Sequence, residues 1–108
     1  IKKNYFLVGF SQGTMLSLYM SLREKMLGVV GYSGAFIGKA NGNTSIKNDV
    51  LLMHGKEDQV VPIDKMYNAI NILKPLVNTI DFEVYDSLEH SINEEGLKKG
   101  FEFINSRV

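Results

Sequence analysis

The sequence predicts an α/β protein, with a parallel sheet of about four strands flanked by helices. Three observations carry that expectation. Short apolar runs alternate with helical ones in the order strand, helix, strand, loop, strand, helix, strand, helix, and such alternation builds a parallel sheet through right-handed crossovers. The run Val50-Leu51-Leu52-Met53 is apolar without alternation, as expected where helices cover both faces of a strand. A short apolar strand also passes through Gly9-Phe10-Ser11-Gln12-Gly13 straight into strong helix formers, an arrangement that lifts a serine hydroxyl clear of a sheet.

Taken in order, the first strand covers residues 5–8 and leads into the glycine-flanked turn. A sharp strand-to-helix turn brings backbone so close that a Cβ at Gly9 or Gly13 is expected to clash. The helix beginning near Gln12 is expected to run over 14–26. Met15, Leu16, Leu18, Tyr19, Met20 and Leu22 surround nearly its whole circumference, so it reads as a buried helix, with Arg23 and Lys25 near the negative pole of its dipole. Residues 27–32 read as a second buried strand ending at Ser33-Gly34.

Residues 35–49 are rich in Gly, Asn, Lys and Ser, and read as a long loop with at most a turn of helix. The third strand, 50–53, ends at His54-Gly55. Pro62 can open the next helix, where its missing N–H costs nothing. Met66, Ala69, Ile70 and Leu73 give that helix one apolar face, and Pro75 stops it at about Lys74. Ile80, Phe82 and Val84 alternate with polar neighbours, marking a half-exposed edge strand. Ser91 and Glu94 have the spacing of a capping box, and Leu97, Gly100, Phe101 and Ile104 form the expected buried stripe of a last helix. Glu94 and Glu95 are expected to pair with Lys98 and Lys99 on its outer face.

Composition narrows the function classes. Twelve basic residues balance twelve acidic ones, so no long-range field would draw in nucleic acid or an anionic membrane. Cys is absent, which excludes disulfides and thiolate metal sites. No stretch approaches the roughly 20 apolar residues of a membrane span. A cytoplasmic protein with no cofactor and no metal is expected. The chain starts at Ile1 and enters a core-type strand within a few residues, from which a missing upstream part is expected.

In open parallel sheets ligands sit beyond the carboxyl ends of the strands. Ser11, Asp58 and His90 follow the first, third and fourth strands, in the chain order Ser, Asp, His known from one serine-hydrolase arrangement. A serine hydroxyl is a poor nucleophile until a base takes its proton. His90 is the candidate base, and an acid would fix its tautomer and stabilise the imidazolium. His54 is the rival base, otherwise a turn or packing residue. Glu57 competes with Asp58 for the acid, and Asp58 alone also fits a plain turn. The Gln12 N–H, at the helix start, is the candidate oxyanion donor. Phe36 and Ile37 are candidates for an acyl pocket, with core packing as the alternative.

Gly9-Phe10-Ser11-Gln12-Gly13, His54-Gly55-Lys56-Glu57-Asp58-Gln59-Val60-Val61-Pro62 and His90-Ser91 together resemble the phospholipase/carboxylesterase branch of the α/β-hydrolase fold, which includes the acyl-protein thioesterases. Tyr32-Ser33-Gly34 resembles the turn after the next strand in these enzymes. The resemblance implies a triad of Ser11, Asp58 and His90, with the acid of the His-Gly-x-x-Asp-x-x-Val-Pro pattern on Asp58. It implies carboxylic esters, lysophospholipids or acyl thioesters as substrates. Thr14 stands where many members have a third glycine. The resemblance further implies that residues 1–108 are one domain corresponding to the C-terminal half of an α/β-hydrolase domain, a partial fold. Family members have further strands before the elbow strand, and a loop there gives a second oxyanion donor. The first strand would then have a bare edge, through which a homo-oligomer is expected, the alternative being that the chain is the ordered remnant of a longer polypeptide. The alternative is a truncated, weakly active or inactive hydrolase relic serving as a structural or interaction domain. Peptidase activity is less favoured.

Overall fold

The computed structural model describes residues 4–37 and 45–108. Seven elements follow one another: β1 (Phe6–Phe10), α1 (Gln12–Ser21), β2 (Gly28–Tyr32), β3 (Asp49–Gly55), α2 (Asp64–Leu73), β4 (Thr79–Tyr85) and α3 (Glu94–Asn105). The strands form one sheet in the order β1-β2-β3-β4, with every adjacent pair parallel. Because all strands run the same way, the turns after β1, β3 and β4 emerge at one rim of the sheet. Of the long loop expected over 35–49, residues 38–44 lie outside the described residues; 35–37 and 46–48 carry neither helix nor strand.

Successive residues of a strand point to opposite faces, and the central strands are apolar on both. Val29, Val50 and Leu52 pack with Leu18, Met66 and Leu73, so α1 and α2 cover one face. Val30, Tyr32, Leu51 and Met53 pack with Phe103, so α3 covers the other. The edge strand β4 follows the expected alternation only in part: Ile80 and Val84 lie against the core, Phe82 is exposed but edge-on to Tyr67, and Tyr85 packs on the opposite face.

Two helices differ from expectation. α1 ends at Ser21, and its buried residues are Thr14, Ser17, Leu18 and Ser21, while Leu16 and Tyr19 are exposed. A helix lying on a sheet offers it one stripe, and here small polar residues allow the close approach. Thr14 is buried with its hydroxyl donating to the Tyr32 carbonyl at 2.8 Å. Arg23 and Lys25 fall beyond the helix end, with the Arg23 guanidinium 3.7 Å over the Tyr19 ring.

The second difference is α3. Its cap is Asn93, whose side chain accepts from the Gly96 N–H at 2.7 Å; the Ser91–Glu94 box does not form. Its buried residues are Gly96, Gly100 and Phe103, whereas Leu97 and Phe101 are exposed. Tyr32 explains the rotation. Its hydroxyl donates to the Gly96 carbonyl at 2.8 Å, and a Cβ on Gly100 would collide with that hydroxyl. Lys99 pairs across to Glu83 at 3.7 Å, not with Glu95 along its own helix.

Candidate active site

Ser11 sits between β1 and α1 with φ 57° and ψ −115°, a conformation that non-glycine residues adopt only under strain. Serine at a helix start ordinarily caps it. Here the strained backbone turns the side chain away, and Oγ makes no capping bond. The turn is fixed by the Ser11 N–H on the Tyr32 carbonyl at 2.9 Å and by the Ser11 carbonyl, which accepts from Thr14 and Met15. That leaves the Gln12 and Gly13 amides as the first two of α1, with no carbonyl a turn back inside the helix.

The two glycines of the turn prove unequal. A Cβ on Gly9 would lie within 2.5 Å of Thr14 N and closer still to the Gly13 carbonyl carbon, all backbone that cannot rotate aside. At Gly13 no atom apart from its chain neighbours and its own helix backbone lies within 4 Å of the added Cβ, so the clash expected there is absent, because that position faces outward on the first turn of α1.

The loops after β3 and β4 are bound to each other. Lys56 N–H donates to the Tyr85 carbonyl and Glu57 N–H to the Leu88 carbonyl, each at 2.9 Å. Gly55 lets the second loop cross over it, since a Cβ there would meet the Leu88 and Glu89 carbonyl oxygens. This crossing brings Asp58 to His90, with Asp58 Oδ2 2.7 Å from His90 Nδ1. On the other side of the ring His90 Nε2 is 3.1 Å from Ser11 Oγ. Phe10 lies against the imidazole, with ring centroids 4.8 Å apart.

Asp58 is buried, and Oδ1 accepts from the Val60 and Val61 N–H groups at 2.9 and 2.8 Å. Burial alone would raise its pKa. The hydrogen bonds from His90, Val61 and Val60 outweigh it and hold the carboxyl below its ordinary value. An ionised carboxylate only accepts, so His90 Nδ1 carries the proton and Nε2 presents a lone pair to the Ser11 hydroxyl. A hydroxyl, an imidazole and a carboxylate in this series can move a proton off the oxygen as it attacks.

The structure thus brings Ser11, Asp58 and His90 into contact and leaves Glu57 exposed at the surface. His54, the rival base, is buried, and its Nε2 faces the Val61 carbonyl at 2.7 Å with no bond to Ser11. Phe36 is buried in the core while Ile37 is exposed, yet both line a cavity of about 200 Å³ with Met15, Val60, Val61 and Pro62. Ser33 is read from the sequence only as part of the turn after the second strand. It is buried with φ 53°, and its hydroxyl donates to the carbonyl of Ser91, next to His90. The Tyr32-Ser33-Gly34 turn was the available signal. Among the described residues no group of three or more His, Asp and Glu side chains could hold a metal ion, and no helix is long and apolar enough to cross a membrane.

A sequence model of the phospholipase/carboxylesterase family matches residues 1–108. Acyl-protein thioesterase 1 of Gibberella zeae is 26% identical over 117 residues, covering all of this chain and 50% of that protein. A probable inactive carboxylesterase of Oryza sativa subsp. japonica is 29% identical over 98 residues, covering 83% of this chain and 40% of that one. Among solved structures, esterase PE8 superposes with a TM-score of 0.81 at 30% identity, covering 95% of this chain and 50% of that one. Arabidopsis thaliana SOBER1 superposes with a TM-score of 0.82 at 29% identity, covering 94% and 52%. The chain therefore spans about half the length, or less, of the curated relatives it matches.

Proposed function

This chain belongs to the phospholipase/carboxylesterase family of the α/β-hydrolase fold, and on that premise we propose that it acts as a serine hydrolase on carboxylic esters or acyl thioesters. The single observation that supports the reading is the unbroken series of contacts from Ser11 Oγ through His90 to Asp58. Ser11 Oγ attacks the acyl carbon as its proton passes to His90 Nε2, and Asp58 stabilises the imidazolium. The oxyanion receives the Gln12 N–H. Collapse expels the alcohol or thiol, which takes the proton from His90, and water repeats the sequence on the acyl-enzyme. No step calls for a metal or an organic cofactor.

Phe36 and Ile37 take the acyl group in this reading. The cavity they line measures about 200 Å³. Residues 1–108 act as one domain, the C-terminal half of an α/β-hydrolase domain. We further propose that a second copy covers β1. This strand is an edge of the sheet with Val8 60% exposed, and an apolar groove lined by Val8, Ile92, Leu97 and Phe101 flanks it.

A second reading, a weakly active or inactive relic with a structural or interaction role, is favoured by one fact: a relative that the chain matches is a probable inactive carboxylesterase. Hydrolysis of a short-chain nitrophenyl ester decides between them. Turnover at least about 10³-fold above that of Ser11→Ala supports the hydrolase. Turnover equal to Ser11→Ala leaves the relic.

A further inference from the structure

His54 is 1% exposed, at the end of β3, and is the one described residue with a buried side-chain nitrogen, Nδ1, that has no partner. Its other nitrogen is closely engaged. Nε2 lies 2.7 Å from the Val61 carbonyl oxygen and 3.5 Å from Asp58 Oδ2, the oxygen that faces His90. A carbonyl can only accept, so the proton sits on Nε2 and the ring is the Nε2–H tautomer. Val61 is then held at both ends, its N–H by Asp58 Oδ1 and its C=O by His54.

We propose that His54 is a positioning residue for Asp58: its Nε2–H pins Val61 and leans on Oδ2, so that the carboxylate meets His90 at the angle its hydrogen bond requires. The inference rests on the reading of Ser11, His90 and Asp58 as the reacting set. Asp58 Oδ1 is turned by two N–H groups on its own loop, and rotation about the Cβ–Cγ bond would carry Oδ2 away from His90. Fixing Val61 from outside the loop prevents that rotation. A packing role would need only the bulk of the ring; this role needs a donor at the Nε2 position. That Nδ1 has no hydrogen-bond partner agrees, because a donor on that side would serve nothing.

The amide nitrogen of Gln reaches the place of Nε2, and that of Asn the place of Nδ1. His54→Gln and His54→Asn therefore separate donor from bulk. Two readouts are taken: kcat and KM for a short nitrophenyl ester, and the far-downfield proton resonance of the His90 Nδ1–H bonded to Asp58. His54→Asn is expected to lower kcat about a hundredfold, with KM within about threefold, and to broaden or lose the downfield line. His54→Gln is expected to restore the line and most of kcat. Wild-type behaviour in both variants, or equal loss in both, overturns the proposal. Should His54→Asn not fold, His54→Leu takes its place; if neither folds while His54→Gln does, His54 serves stability alone and the positioning role fails. The resonance is read without turnover, so an inactive chain would sink the hydrolase reading and still leave this inference tested.

Discussion

Asp58 Oδ2 accepts the Nδ1–H of His90 at 2.7 Å across 32 positions of sequence, inside a site where the carboxylate is buried. The bonds from His90, Val61 and Val60 lower its folded-state pKa against the opposing effect of burial. A depressed folded pKa stabilises the fold above the unfolded carboxylate pKa of about 3.9, and that contribution is lost as pH falls through the folded value. The stability gap between wild type and Asp58→Asn is therefore expected to be fully open above about pH 5 and to close below about pH 4. Urea denaturation at several acid pH values measures it. A gap constant down to pH 3 would show that the carboxylate's charge is not what the site holds.

The turn around Ser11 makes a paired prediction. Gly9→Ala forces a Cβ into the backbone of Gly13 and Thr14, and is expected to cost about 2 kcal/mol or more. Gly13→Ala meets open space in a helix and is expected to stabilise by about 0.5–1 kcal/mol. Thermal denaturation of both variants checks the asymmetry, and equal effects would contradict it.

Gly55→Ala would press on the Leu88 and Glu89 carbonyls and push the loop carrying His90 outward. A displacement near 1 Å costs about a hundredfold in catalysis. The variant is expected to lose that much in kcat for a short nitrophenyl ester. Retained kcat would mean that the crossing of the two loops does not set the position of His90.

Much of the fold was legible because its signals are local. Unbroken apolar runs marked β2 and β3, and Met66, Ala69 and Leu73 marked α2 with its stop before Pro75. The faces of α1 and α3 were not, because what sets them is a partner far away in the chain. Tyr32 draws Gly96 and Gly100 against the sheet and turns Leu97 and Phe101 outward, and no periodicity within 94–105 carries that information. At the site, residue types and spacing pointed to Ser11, Asp58 and His90. The contact of His54 with Val61 joins a strand end to a turn seven residues on, and only coordinates show which ring nitrogen it uses.

Self-association through β1 is read by light scattering. A mass of twice the monomer at micromolar concentration is expected, shifting to the monomer in Val8→Lys, which places a charge on the exposed apolar side of the edge strand. A wild-type monomer at every concentration would remove the second copy from β1.

That Ser11 is the nucleophile is tested most directly by intact mass after exposure to a fluorophosphonate. The expected result is one adduct per chain, absent from Ser11→Ala and formed at least about 10³-fold more slowly in His90→Ala. A protein that takes up no label, or a label that persists in Ser11→Ala, would contradict it.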